Sequence, residues 1–410
     1  MNSWDVFDTL IARRFFYPKT VHEETARRIN DSNYVKKRIR AEKATKKDEG
    51  NFEDIYKLLP EYDPQVELQV ELEHLFPIVE NINKVKDGDL ILSDMYLSAD
   101  EIMKILRNCG LTKNVDIIVT RYGKRHGYIW DSVKQKYNID THYGDNEHSD
   151  VKTAQANGVN GVLDTLTHFT ELEQMAYEVD PQLACWMRKT RLLCPHTGDA
   201  KKYWIEQANL NLPVLALATL ELPDRDIAFT YRDCCNWQPL YEAMTGKKSK
   251  MLITSRKMYL EPNEHFKEYI DRTIDANTTI VDLQGEGNSI YKFYNQAPPH
   301  TIYIGGKTLP YIDRLVPFAT KSLEKHNCYQ FGPVIDWDED GPIRGPNDHP
   351  QQIAKIQYNA MASAISICDL FKPKPNKELL LKFVERMHSK EYATTNIKWA
   401  KFNEQKKWKA

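Results

Sequence analysis

The chain contains 410 residues, and its 56 Lys and Arg nearly balance its 58 Asp and Glu, which gives a net charge of -2. This balance argues against a dedicated nucleic-acid binder, because such proteins carry a marked excess of positive charge. Hydrophobic residues make up 41% of the sequence. That content is enough for a buried core in each of about two domains, the number expected for this length.

The cysteines and the apolar runs exclude two further classes. The seven cysteines are irregularly spaced and predict no disulfide framework. No apolar run approaches the ~20 residues of a membrane span. Because the first strand is predicted at the N-terminus itself, we expect no signal peptide and a cytoplasmic location. A homo-oligomer remains open.

The first predicted element is a short apolar strand that ends at Asp5, in the string DVFDTL of residues 5–10. A carboxylate at the carboxyl end of a strand faces the crevice where open α/β sheets bind ligands. From there it can attack an electrophile as a covalent nucleophile. By itself the string is also compatible with an ordinary strand end.

The next region, residues 13–86, is predicted to be an inserted helical segment. It is rich in Arg, Lys and Glu, and its apolar residues recur with helical spacing. Examples of that spacing are Leu68, Val70, Leu72, Leu75 and Val79. The basic residues offer contacts for an anionic substrate, although a solvated helix face explains any single one of them more simply.

Three later segments each place polar residues after a predicted strand. The string GDLILSDMYLS delivers Ser93 and Asp94 to a loop. In IVTRYGKRHGYI, Lys124 lies between a strand end and a helical pattern. In HYGDNEHSD, Asp145 follows a glycine turn and Asp150 comes five residues later.

The order of these motifs resembles the haloacid dehalogenase (HAD) superfamily. More narrowly, the strings DVFDTL, SDMYLS and GDNEHSD are similar to two-domain HAD proteins found beside bacterial polysaccharide biosynthesis genes. The resemblance covers roughly residues 1–170. It implies an α/β fold with a Rossmann-like parallel sheet. The implied domains are a HAD-like domain (core 1–12 and 87–180, helical cap 13–86) and a second Rossmann-like α/β domain with C-terminal helices (181–410).

The resemblance also implies roles for individual residues. Asp5 would be the nucleophile, Ser93 would bind a phosphoryl oxygen, and Lys124 would neutralise charge, with Arg121 or Arg125 as alternatives. Thr9 and Asp94 would be substrate contacts. A Mg²⁺ ion would be held by oxygen ligands; these would be Asp5, the main-chain carbonyl of Phe7, Asp145 and Asp150.

One position departs from the superfamily pattern. Phosphatases of this superfamily carry a general acid/base aspartate two residues after the nucleophile, where this chain has Phe7. Acid/base help is worth ~10²- to 10⁴-fold in rate. Asp8 would replace that residue if the turn directs its carboxylate inward. Otherwise the domain is a slow phosphatase, a phosphotransferase, or an enzyme whose substrate has a good leaving group. A degenerate domain without activity is the remaining alternative.

Residues 181–410 are predicted to contain further strands that alternate with helices, which favours a second, mostly parallel sheet. Arg232 and Arg256 follow two of these strands, and Gly285 and Gly287 follow a third. Such glycines allow backbone amides to approach an anion, and the arrangement loosely resembles phosphoribosyltransferases. A tight turn that needs glycine is the alternative explanation. Residues 331–350, with four prolines, are predicted to form a loop.

Two functions are therefore expected as alternatives. The first is a Mg²⁺-dependent HAD phosphohydrolase or phosphotransferase that acts through an aspartyl-phosphate on a small phosphorylated metabolite, such as a sugar phosphate or nucleotide-sugar intermediate. The second is a degenerate HAD-like module whose second, phosphoribosyltransferase-like domain binds a phosphorylated ligand or partner.

Overall fold

The computed structural model describes residues 1–15, 17–46, 50–295, 297–306, 311–318, 321–347 and 349–389. The chain forms two compact units, Met1–Phe169 and a second unit that begins at Thr170. The boundary thus comes about ten residues earlier than the expected one at 180/181. The helix that follows Thr170 belongs to the second unit because the buried carboxylate of Glu173 is paired there with Arg191, at 2.6 Å.

The first unit is built on a parallel sheet in the order β5-β4-β1-β6-β7. Its strands, with the short pair outside that sheet, are β1 (Asn2–Trp4), β2 (Ile11–Arg13), β3 (Leu75–Pro77), β4 (Leu90–Asp94), β5 (Asp116–Thr120), β6 (Thr141–Gly144) and β7 (Asn160–Leu163). Strand β1 is central, with β4 on one side and β6 on the other. The strand order therefore reverses at β1, which opens a crevice at its carboxyl end.

Helices lie between these strands in the sequence. They are α1 (Lys19–Arg28), α2 (Tyr34–Thr45), α3 (Phe52–Lys57), α4 (Pro64–His74), α5 (Val79–Ile82), α6 (Ala99–Asn108), α7 (Gly123–His126), α8 (Ile129–Lys136), a π-helix (Glu147–Lys152) and α9 (Thr153–Ala156). Helix α6 shows how the sequence specifies them. Ser98 and Glu101 form a capping box at its start, and Ile102, Ile105 and Leu106 recur at helical spacing on its buried face.

Helices α1–α5 lie within the segment expected to be helical, and the antiparallel pair β2–β3 joins its two ends. The guanidinium of Arg38 forms a buried two-point contact with Glu67, at 2.7 and 2.8 Å. The apolar spacing is interrupted at Leu75, where the backbone becomes extended and β3 begins. The segment is therefore largely helical.

The second unit contains a parallel sheet in the order β12-β11-β10-β8-β9. Its strands, with a separate hairpin, are β8 (Asp226–Thr230), β9 (Lys250–Leu252), β10 (Thr278–Gln284), β11 (Thr301–Gly305), β12 (Ile312–Val316), β13 (Val334–Asp338) and β14 (Gly341–Arg344). Within the described residues, each unit thus has one five-stranded parallel sheet. This confirms the predicted α/β class with parallel sheets.

The helices of the second unit precede and follow its sheet. They are α10 (Glu171–Tyr177), α11 (Pro181–Leu192), α12 (Gly198–Glu206), a π-helix (Gln207–Asn211), α13 (Leu212–Leu220), α14 (Trp237–Thr245), α15 (Arg256–Leu260), α16 (Glu264–Thr273), α17 (Asn288–Phe293), α18 (Lys321–Lys325), α19 (Gln351–Ile365), a 3-10 helix (Cys368–Leu370) and α20 (Lys377–His388). No helix in the described ranges has both the length and the apolar content that a membrane crossing requires.

The prediction of a loop at residues 331–350 was wrong. Strands β13 and β14 form an antiparallel hairpin there. Pro342 lies in β14, and proline is tolerated in a strand with a free edge because no ladder hydrogen bond has to be donated on that side. Trp337 of β13 is buried and stacks on Tyr269 with ring centroids 4.2 Å apart, so burial of an aromatic residue stabilises the hairpin.

Candidate active site

The carboxyl ends of four neighbouring strands bring the polar residues of the first unit together. Asp5 follows β1, Asp94 ends β4, and Asp145 follows β6. Lys124 lies in α7, directly after β5. Because the strands are parallel, their carboxyl ends share one edge of the sheet. The backbone N–H of Asp5 donates to the carbonyl of Tyr143 at 2.8 Å, which fixes Asp5 beside β6.

Lys124 is the cation at the centre of this edge. Its ammonium group contacts a carboxylate oxygen of Asp5 and lies 2.7 Å from an oxygen of Asp150. Its side chain is 3% exposed. A buried ammonium is stable only when carboxylates compensate its loss of hydration. Of the alternative cations, Arg121 lies against Glu42 at 3.5 Å, whereas the backbone of Arg125 contacts Asp94.

Asp94 positions the turn that carries Lys124. Its carboxylate accepts hydrogen bonds from the backbone N–H groups of Lys124 and Arg125, at 3.0 and 2.9 Å. The hydroxyl of Thr120 donates to the same carboxylate at 2.5 Å. The sequence suggested a substrate contact for Asp94, and the structure gives its carboxylate these three donors.

Three carboxylates lie close enough to share a cation. Asp5, Asp145 and Asp150 each offer an oxygen, and these oxygens lie within 4.8 Å of one another. The backbone N–H of Asn146 donates to Asp150 at 2.8 Å. Gly144 is required here, because an added Cβ would lie 2.2 Å from the carboxyl carbon of Asp150.

The charges at this edge are not balanced by the described side chains. Burial raises the pKa of Asp5 to about 7, against the opposing effect of Lys124. Burial, with the charges of Asp5 and Asp8, raises the pKa of Asp145 to about 8. Burial also opposes ionisation of Asp150, but Lys124 and His142 together outweigh it and lower the pKa of that carboxyl. A hard divalent cation prefers oxygen ligands of this kind, so Asp5, Asp145 and Asp150 fit a Mg²⁺ site.

The turn after β1 holds Phe7 and Asp8. The guanidinium of Arg13 covers the Phe7 ring, 4.4 Å from its centroid. Asp8 has a left-handed backbone (φ 57°), a conformation that Asp tolerates better than most residues. The hydroxyl of Thr167 donates to the carbonyl of Asp8 at 3.0 Å. The negative charge of Asp8 contributes to raising the pKa of both Asp145 and Arg13. The Asp8 carboxylate therefore lies within electrostatic range of the carboxylate cluster.

Thr9 and Ser93 are both buried. The Thr9 hydroxyl lies 3.5 Å from Asp5, at the limit of a hydrogen bond, and its carbonyl accepts from Asn81 at 2.8 Å. Ser93 is the residue before Asp94 in β4.

Sequence reasoning missed His142 as part of this site. Its ring is fully buried in β6, where it lies 2.8 Å from the Ser3 hydroxyl and 3.4 Å from Asp150. The order of residues in β6 does not indicate that His142 belongs to the site, because its contact with Ser3 depends on the parallel pairing of β6 with β1.

In the second unit, the predicted residues Arg232, Arg256, Gly285 and Gly287 all line one cleft of about 940 Å³. The cleft lies at the carboxyl ends of β8, β9 and β10. Gly287 has φ 70°, and an added Cβ would lie 2.2 Å from the side chain of Ile312. A tight turn therefore accounts for glycine at this position.

Comparison of the sequence with protein-family models finds no match, and comparison with curated proteins finds none either.

Proposed function

We propose that the first unit is a Mg²⁺-dependent phosphohydrolase or phosphotransferase of the HAD type. The substrate class is a small phosphorylated metabolite, such as a sugar phosphate or a nucleotide-sugar intermediate. The observation that supports this most is the contact of one buried ammonium, that of Lys124, with both Asp5 and Asp150. Phosphoryl transfer depends mainly on positioning and charge neutralisation, and a buried carboxylate held beside a buried ammonium and two further carboxylates suits both needs.

The chemistry assigned to these residues proceeds in two displacements. An oxygen of Asp5 attacks phosphorus, the bond to the leaving oxygen breaks, and that oxygen takes up a proton from Asp8. Asp8 then removes a proton from water, or from an acceptor hydroxyl, as its oxygen attacks the aspartyl-phosphate. The bond between phosphorus and Asp5 breaks, which restores the carboxylate.

Other residues of the unit support these steps. The ammonium of Lys124 neutralises the charge that Asp5 and the transferring group share. The hydroxyls of Ser93 and Thr9 would bind and orient the phosphoryl oxygens. Mg²⁺ held by Asp5, Asp145, Asp150 and the carbonyl of Phe7 would supply further charge neutralisation. Residues 13–86 would act as a cap that excludes water.

A panel of phosphorylated metabolites tests this function. With Mg²⁺ present, we expect wild-type protein to release phosphate from at least one member, and Asp5→Asn to release none. Asp131→Asn is a matched control, because Asp131 is 82% exposed, and it should keep wild-type activity. Failure of wild-type protein on every member, or full activity of Asp5→Asn, would contradict the proposal.

A second candidate is a degenerate module that binds a phosphorylated ligand without turning it over. The observation in its favour is Phe7, whose ring packs beneath Arg13 and can neither donate nor accept a proton. This candidate predicts thermal stabilisation by a phosphorylated ligand with no phosphate release under any metal. The same panel, read by both melting temperature and phosphate release, separates the two.

A further inference from the structure

The second unit has its own cleft at a topological switch point. Strands β8 and β10 are neighbours, with β9 on the far side of β8 and β11 on the far side of β10. Numbered from β8, the strand order is 2-1-3-4-5, so the chain reverses direction across the sheet between β8 and β10. Open α/β sheets bind ligands outside the carboxyl ends of the strands at such a point. The cleft has a volume of about 940 Å³, which is typical of a small-molecule site.

The charges that line this cleft are mixed in sign. The basic residues are Arg232, Arg256 and Lys292, and the acidic residues are Asp233, Asp282, Glu286 and Glu324. Three positive and four negative side chains give a difference of -1, which disfavours a ligand with several negative charges. A ligand with one anionic group and several hydroxyls suits the lining better, because carboxylates accept hydrogen bonds from hydroxyls.

The basic side chains come from separate elements. Arg232 follows β8, Arg256 begins α15 and Lys292 belongs to α17. Arg256 is exposed and follows Ser255, whose hydroxyl accepts from the backbone N–H of Met258 at 3.3 Å. Arg256 therefore stands on a capped turn and is available to a phosphate, which guanidinium groups bind through paired hydrogen bonds.

The central strand supplies the carboxylate at the base of the cleft. Asp282 is half-buried in β10, and one of its oxygens accepts from the backbone N–H of Leu283 at 2.8 Å. The turn beyond it is held in place, because Arg314 donates to the carbonyl of Gly285 at 2.9 Å. A fixed acceptor beside a fixed turn is suited to sugar hydroxyls, which need acceptors at defined positions.

We propose that this cleft binds a small phosphorylated sugar, with Arg256 on the phosphate and Asp282 on the hydroxyls. The site belongs to the second unit alone and does not depend on the reaction proposed for the first. The second unit would thus bind a ligand of its own.

Calorimetric titration of Asp5→Asn protein in EDTA tests the proposal, because that background removes the nucleophile and any divalent cation from the first unit. The probes are ribose 5-phosphate, glucose 6-phosphate, ribose and inorganic phosphate. We expect at least one of the two phosphorylated sugars to bind, and to bind more tightly than ribose or inorganic phosphate.

Variants in the same background locate the site. Arg256→Gln should weaken binding about tenfold, the value of one charge-assisted hydrogen bond, and Asp282→Asn should also weaken it. Lys257→Gln is the matched control, because Lys257 is an exposed neighbour in α15 that does not line the cleft, and it should leave affinity unchanged. Arg256 is exposed, so its replacement preserves the fold even if Asp282→Asn does not.

Three results would overturn the proposal: no binding of either phosphorylated sugar, equal affinity for inorganic phosphate, or wild-type affinity in Arg256→Gln. None of these results bears on phosphate release by wild-type protein, so failure here is distinguishable from failure of the function proposed for the first unit.

Discussion

The ammonium nitrogen of Lys124 lies 2.7 Å from a carboxylate oxygen of Asp150 and also contacts Asp5. One cation thus joins the end of β1 to the helix after β6, with all three side chains buried. Because removal of a single partner from a buried ion pair leaves an uncompensated charge, each member of this group should respond strongly to substitution.

Replacement of Lys124 by Met should lower phosphate release by about 10²-fold or more, because charge stabilisation of the transferring group is lost. Mn²⁺ affinity should be unchanged or higher, because the competing ammonium is gone. Lys152→Met is the control, since Lys152 pairs with Glu147 at an exposed position. Parallel loss of Mn²⁺ affinity and activity in Lys124→Met would instead indicate general damage to the site.

Asp8 should behave as the acid/base residue. Asp8→Asn should slow the first displacement on an alkyl phosphate by about 10²- to 10⁴-fold, with a much smaller effect on the same step for p-nitrophenyl phosphate, whose leaving group needs no proton. Release of the leaving group in a single turnover measures this step apart from hydrolysis of the aspartyl-phosphate, which Asp8 also assists. Asparagine also tolerates the left-handed backbone, so the turn should remain intact. Equal losses on both substrates in that single turnover would show that Asp8 does not donate the proton.

Cation binding at the carboxylate cluster should depend on pH. Burial raises the pKa of Asp5 to about 7 and that of Asp145 to about 8, and carboxylates must lose their protons to bind a metal. Mg²⁺ affinity should therefore rise as pH increases from 6 to 8 and level off above that range. Below pH 7 the rise is up to about tenfold per pH unit for each displaced proton. Calorimetry in two buffers of different ionisation enthalpy should detect proton release, and an affinity independent of pH would refute this prediction.

The buried pair of Arg38 and Glu67 should stabilise the helical segment of the first unit. Glu67→Gln should lower the free energy of unfolding by about 3–5 kcal/mol, because it removes the buried carboxylate of Arg38 and leaves the guanidinium with the partly exposed Glu42 at 2.9 Å. Glu73→Gln is a matched control in the same helix, since Glu73 pairs with Arg28 at the surface, and it should cost at most about 1 kcal/mol. Urea unfolding measures both, and equal effects would contradict the assigned role of burial.

Much of the fold could be predicted because apolar runs ended at polar residues. The strands before Asp5, Asp94 and Lys124 were predicted in this way, as were four of the five strands of the second sheet; β12 was not predicted. The unit boundary was harder, because the separation at Phe169 depends on which helices pack together. Strand β13 was missed because prolines flank a short strand of mixed polarity, VIDWD, which is stabilised by the stacking of Trp337 on Tyr269.

The site was predictable only as a set of residue types. Motif order suggested Asp5, Lys124, Asp145 and Asp150, and parallel pairing explains why they meet. The contacts of Asp94 with the turn that carries Lys124, and of His142 with Ser3, depend on strand register. Local sequence carries no such register information, so neither the contacts made by Asp94 nor the presence of His142 at the site was predicted.

The location of a bound cation tests the central claim most directly. Crystals of wild-type protein grown with Mn²⁺ should show an anomalous peak among Asp5, Asp145 and Asp150, with Lys124 still directed at Asp5. Asp145→Asn crystals should show a weakened peak. Absence of a peak at this position, or a peak from which any of the three acids is separated by more than one water, would contradict the account.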